Sequence, residues 1–251
     1  MSHKEYIRLV PGAKTAVLFL HGICGSPNHF RQLLPMEQAI PSEWSVYNIV
    51  LDGHCKSVEA FGRTSMKIWK EQVQSVFDEL CQTHEKIVLV GHSMGTLFSI
   101  DLAVRYPEKV AFAFLLAVPV KVFVKPRAIG YLMRIAFDRI DESNPVLVSM
   151  RDACGITQTK KIWKYIPWAM RMVELLQLCS KTGKMVPRIG LPTIAWQSVK
   201  DEMVSSKADV LLKKSGRVDV HTLPNSTHFY YPPEEVEMIM QSFRESCEAY
   251  I

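Results

Sequence analysis

Three residues could do chemistry together: Ser93, Asp201 and His228, in that chain order. A serine hydroxyl becomes a nucleophile when a histidine takes its proton and a carboxylate orients that histidine. Ser93 lies in Gly91-His92-Ser93-Met94-Gly95, a G-x-S-x-G pattern between an apolar run and a helical one. A sharp strand-to-helix turn there would strain the serine backbone and expose its hydroxyl. Side chains at the two glycine positions would collide with neighbouring backbone. Asp201 follows the apolar run 193–199, and His228 follows the run 217–223. Ends of neighbouring parallel strands share one sheet edge, where ligands bind in open α/β folds, so the three residues are expected to converge there. Glu202, one residue beyond Asp201, is the alternative acid.

Attack on a carbonyl creates an oxyanion, which needs two backbone N–H donors. The residue after the nucleophile supplies one, here Met94. The loop His21-Gly22-Ile23-Cys24-Gly25, directly after the first long apolar run, is placed to supply the other, from Ile23. His21, Gly22, Cys24 and His92 flank these donors and are expected to shape the substrate site. Neither Cys24 nor Cys55 has the base and elbow that a cysteine nucleophile needs. The eight histidines include no i, i+4 pair with a neighbouring carboxylate, so no metal site is expected.

The elements that must position these groups can be read from periodicity. Apolar runs at 15–20, 45–51, 86–90 and 110–118 read as strands, continuous enough to be buried on both faces. Helical patterns separate them, among them 94–105, which stops at Tyr106-Pro107. This alternation predicts a mostly parallel sheet flanked by helices. Residues 121–190 differ. They show no convincing strand, have breakers at Pro126, Pro145 and Pro167, and carry helical spacing between them. Pro167 is expected in the first turn of a helix running to about 181, with Gly183 just past its end. The α/β pattern then resumes and closes with a helix over 233–247. The expected organisation is one core domain, 1–120 with 191–251, interrupted by a helical insertion at 121–190.

Charge marks the same boundary. The chain of 251 residues has 30 Lys and Arg against 25 Asp and Glu, a net +5. Residues 1–120 carry 11 of each sign, residues 121–190 carry 13 against 5, and residues 191–251 carry 6 against 9. The basic excess therefore belongs to the insertion, as a solvated surface or as a contact for anionic substrates or an anionic lipid surface. Nucleic acid is not expected as a partner, and the oligomeric state is left open. The composition, 48% hydrophobic and 22% charged, is that of a folded globular chain. Six cysteines without Cys-x-x-Cys spacing fit a reducing compartment. The longest apolar run, 110–120, is too short to span a bilayer, so a cytoplasmic location is the default expectation.

These motifs together resemble the α/β-hydrolases, in particular their carboxylesterase and monoacylglycerol-lipase-like branch. The resemblance is carried by HGICGS (21–26), LDGHCKS (51–57), Trp69, GHSMG (91–95), DEMV (201–204) and NSTHF (225–229). It covers 15–120 and 191–251 and reaches the insertion only by position, where this branch carries a helical cap. It implies ester hydrolysis through an acyl-enzyme without a cofactor. The branch often has glycine where this chain has Cys55, Thr96 and Thr227. Thioesterase, C–C hydrolase and perhydrolase activities reuse the same triad, and a non-catalytic ligand receptor can share the scaffold. Trp163, Trp168, Met133, Met150, Met170, Met172 and Met185 of the insertion are expected either to line an apolar pocket for short- to medium-chain esters or monoacylglycerols, or to form the insertion's own core.

Overall fold

Why the apolar runs are continuous is plain from the way successive side chains face. In the computed structural model, which describes residues 3–251, a seven-stranded sheet forms from β1 (Tyr6–Arg8), β2 (Thr15–Leu20), β3 (Ser45–Asn48), β4 (Lys86–His92), β5 (Val110–Leu116), β6 (Thr193–Ser198) and β7 (Val218–Leu223). Along β2, Ala16, Leu18 and Leu20 enter one core cluster while Val17 and Phe19 enter another on the opposite face. β4 and β5 alternate in the same way, with Ile87 and Leu89 against Val88 and Val90, and Ala113 and Leu115 against Phe112 and Phe114. A strand buried on both faces needs apolar residues at every position.

The strand order is β1-β3-β2-β4-β5-β6-β7. Every pairing is parallel except β1 with β3. Parallel neighbours require crossovers, and helices supply them. On one face lie α1 (Val58–Arg63), α2 (Met66–Thr83) and α3 (Met94–Arg105), which bury Phe61, Trp69, Phe77 and Leu97. Ser57 and Ser65 cap α1 and α2 by accepting the N–H of Ala60 and Ile68. The other face is closed by the C-terminal helix, through Ile239, Met240 and Phe243, and by Phe30, Leu34, Met36 and Trp44 of the connection between β2 and β3.

Between β5 and β6 the chain makes α4 (Pro126–Ala136), α5 (Pro145–Ala153), a 3-10 turn (Ile162–Tyr165) and α6 (Trp168–Gly183). Each α-helix starts at or beside a proline, whose missing N–H costs nothing in a first turn. Gly183 falls inside α6 rather than past it, because the helix passes directly into a tight turn at Lys184. The segment is tied down at both flanks. Trp168 Nε1–H donates to Val58 O at 3.0 Å, and its ring lies 4.5 Å from that of Phe61. On the other side Val122 bridges Val204, and the Phe123 N–H donates to Met203 O. β5 ends two residues earlier than its apolar run because Ala117 takes a positive φ of 53°, which no strand tolerates. After β6 come α7 (Lys207–Leu212), β7 and α8 (Pro233–Tyr250). Among the described residues no helix is long and apolar enough to cross a membrane.

Candidate active site

Ser93 stands between β4 and α3 at φ 51°, ψ −122°. A non-glycine residue there stores on the order of 1–3 kcal/mol of backbone strain. The neighbours hold it in place. Its N–H donates to Leu116 O on β5 at 2.9 Å, and its carbonyl accepts from Thr96 Oγ1–H at 2.6 Å. Thr96, one of the departures from the family pattern, thus serves the elbow directly. The two glycines leave no room for a side chain: a Cβ at Gly95 would lie 1.8 Å from Leu20 O, and one at Gly91 2.8 Å from Thr96 N.

The sheet brings the other two residues to the same edge. Asp201 follows β6 and His228 follows β7. The Ser93 hydroxyl lies 3.1 Å from His228 Nε2, and His228 Nδ1–H donates to Asp201 Oδ2 at 2.8 Å. Asp201, not Glu202, is therefore the ring's partner. Its other oxygen, Oδ1, accepts the N–H groups of Met203 and Val204 at 2.7 and 2.8 Å, so the carboxylate is fixed by its own loop. All three residues are enclosed: Ser93 is 8% exposed, Asp201 2% and His228 1%.

The loop after β2 comes against the nucleophile. A Cβ on Gly22 would lie 3.0 Å from Ser93 Cβ. Among the hydrogen bonds of the described residues, none uses the N–H of Ile23 or of Met94, which leaves both for a ligand oxygen. Cys24, next to Ile23, has a left-handed φ of 57°, and its carbonyl accepts the Gly155 N–H from the helical segment. Burial holds the Cys24 thiol well above its usual range, so it stays neutral.

The flanking histidines turn inward rather than toward a ligand. His21 donates from Nδ1 to Gly22 O and accepts the Leu51 N–H at Nε2, which fixes the loop shape. His92 donates from Nε2 to His228 O at 3.0 Å. Burial lowers the His21 pKa to about 4 and that of His92 well below the usual histidine range, so both are neutral. Against the expectation of pocket-lining tryptophans, Trp163 is 62% exposed on the 3-10 turn, and Trp168 is spent on fastening α6 to α1. Of the methionines, Met150 is buried, whereas Met133 and Met170 are about half exposed and lie outside the buried core. The apolar group beside the site is instead Ile135, Leu147, Met150 and Ala153, packed with Phe229 next to His228.

Comparison with known proteins gives a consistent set of relatives. A family model described as serine aminopeptidase, S33 (Hydrolase_4) matches residues 11–230. A thermostable monoacylglycerol lipase of Bacillus sp. (strain H-257) is 26% identical over 235 residues, 90% of this chain and 89% of the relative. Among solved structures, the monoacylglycerol lipase of Paleococcus ferrophilus superposes with a TM-score of 0.69 at 17% identity, covering 98% of both chains. A soluble variant of the monoglyceride lipase of Saccharomyces cerevisiae gives 0.67 at 13% identity, covering 98% of this chain and 91% of its own.

Proposed function

The chain belongs to the serine aminopeptidase S33 family and has the α/β-hydrolase fold, and from that premise we propose that it hydrolyses carboxylic esters through a Ser93 acyl-enzyme. The observation that carries this reading is the unbroken hydrogen-bond line from Ser93 Oγ through His228 to Asp201. His228 takes the Ser93 proton as the hydroxyl attacks the ester carbonyl. The N–H groups of Ile23 and Met94 hold the oxyanion, and Asp201 keeps His228 in the tautomer with the proton on Nδ1. His228 then returns its proton to the leaving alcohol and activates the water that frees the acid.

A substrate with a free ammonium group is best met by a carboxylate that is not already engaged. The two carboxylates beside His228 are buried and engaged by that residue, Asp201 through the ring and Glu202 through the backbone N–H. The similarity to monoacylglycerol lipases supports esters in turn. The cluster around Phe229 supports an acyl site for short- to medium-chain esters or monoacylglycerols, under a cap formed by residues 121–190. A fluorophosphonate probe is expected to label wild-type protein at Ser93. A series of p-nitrophenyl esters is expected to show kcat/KM rising beyond acetate. A steep loss by octanoate would remove the apolar acyl site, and absence of labelling would remove the serine mechanism.

The cap is also proposed to touch an anionic lipid surface. It carries the whole basic excess, and Ile129, Leu132, Met133, Ile162, Trp163 and Ile166 are exposed on it. Basic residues with exposed apolar side chains are what interfacial binding requires. Vesicles containing phosphatidylglycerol are expected to sediment the protein at low salt, and vesicles of phosphatidylcholine alone are not. Equal sedimentation with both, or with neither, would count against it.

A further inference from the structure

Glu202 is a second carboxylate at the catalytic edge, 1% exposed, and the triad leaves it without a task. Its Oε2 accepts the backbone N–H of His228 at 3.0 Å. The carbonyl of His228 is held from the other side by His92 Nε2–H at 3.0 Å and, at 3.4 Å, by the Tyr231 hydroxyl. His228 is therefore gripped at its N–H, its C=O and its ring. The backbone of the gripping residue is itself anchored, since Glu202 O accepts the Lys125 N–H at 2.8 Å. An acceptor for one buried N–H does not call for an acid: a carbonyl or an amide would do, without the several kcal/mol that desolvating a charged group costs. What a carboxylate adds is charge.

We propose that Glu202 is a positioning residue for the ester hydrolysis proposed above, fixing the His228 backbone and favouring its imidazolium form. The inference rests on the Ser93–His228–Asp201 reading. The surroundings of His228 leave few other charges to do this. From the elbow it meets Ser93 and neutral His92; from the connection after β2, His29, kept neutral by burial; from its own loop, the Tyr231 hydroxyl. Lys200 binds Asn225, and Arg127 donates to Lys200 O, both on the exposed side. Asp201 and Glu202 are the anions that engage His228. With two of them at hand, the imidazolium formed in each half-reaction is met by charges that need no reorganisation.

The test compares Glu202→Ala with Glu202→Gln on a soluble p-nitrophenyl ester, across the pH range in which circular dichroism shows an intact fold. Alanine removes acceptor and charge, and kcat is expected to fall about 10²-fold at unchanged KM, as a misplaced catalytic group does. Glutamine keeps an acceptor oxygen and is expected to recover most of that loss. Removing an anion disfavours the imidazolium, so the acidic limb of kcat/KM is expected to move to lower pH in both variants. Wild-type kcat in the alanine variant, a glutamine variant no faster than alanine, or an unmoved acidic limb would each overturn the proposal. Should alanine prevent folding, the limb of the glutamine variant still decides. Fluorophosphonate labelling of wild-type Ser93, run alongside, separates failure of this inference from failure of the triad reading.

Discussion

Ser93→Ala is expected to lower kcat for a soluble ester by about 10⁶-fold, which is about 8 kcal/mol of barrier. The magnitude follows from Ser93 and His228 acting as one unit: without the hydroxyl, His228 has no proton to move at the carbonyl. The fold should survive. Alanine accepts the same backbone strain at φ 51°, and the bonds that hold the elbow, Ser93 N–H to Leu116 O and Thr96 Oγ1–H to Ser93 O, use main-chain atoms of residue 93. Adding His228→Ala to Ser93→Ala is then expected to cost little more, since members of one catalytic unit are not additive. Asp201→Asn should lose less, about 10⁴-fold, because the amide leaves His228 in the wrong tautomer without removing it. Steady-state rates at protein concentrations fixed by absorbance measure all three. A Ser93→Ala variant that keeps more than about 1% of the wild-type rate, at unchanged circular dichroism, would end the assignment of Ser93 as nucleophile.

The parts of the site legible in the sequence are those with strong local requirements. Ser93 announces itself because its turn needs glycine at 91 and 95, and the structure leaves no room there for a Cβ. Asp201 and His228 could be placed because each follows a strand, and strand ends in a parallel sheet share an edge. The contact of Glu202 with His228 had no such signature. Its partner is a backbone N–H 26 residues away, and a main-chain partner leaves no mark on the sequence. Trp163 shows the opposite failure. An apolar type in a helical stretch suggests a pocket wall or a core, yet its side chain lies in solvent, and only the fold decides which face of a short turn is outward. β1 escaped for lack of length: three residues, Tyr6–Arg8, carry too little alternation to stand out.

The largest stability effect expected is acid unfolding, and its origin is the set of histidines beneath the site. His21, His29, His54 and His92 are all buried, and burial is the leading cause of the drop in each pKa, to about 4 for His21 and about 3 for His29. In the unfolded chain each titrates near 6.5. Above that pH neither state binds the proton and the groups contribute nothing to the pH dependence. Below it the unfolded state takes up protons that the native state refuses, so stability falls by about 1.4 kcal/mol per pH unit for each such histidine. Four together remove about 5 kcal/mol per unit, against a total stability of about 5–15 kcal/mol. Cooperative unfolding between about pH 6 and pH 4 is therefore expected, read by circular dichroism along an acid titration. His29 offers the sharpest check. It stacks on His92 with ring centroids 3.7 Å apart, lies edge-on to Phe30, Phe229 and Tyr231, and neither ring nitrogen has a partner among the described residues. Phenylalanine there keeps the aromatic contacts, loses no hydrogen bond and cannot bind a proton. His29→Phe should hence cut the slope of stability against pH by about a quarter and move the acid midpoint to lower pH. An unchanged midpoint at unchanged neutral-pH stability would mean that the native state binds a proton at His29 as readily as the unfolded chain does, and that burial of His29 is not a source of the acid sensitivity.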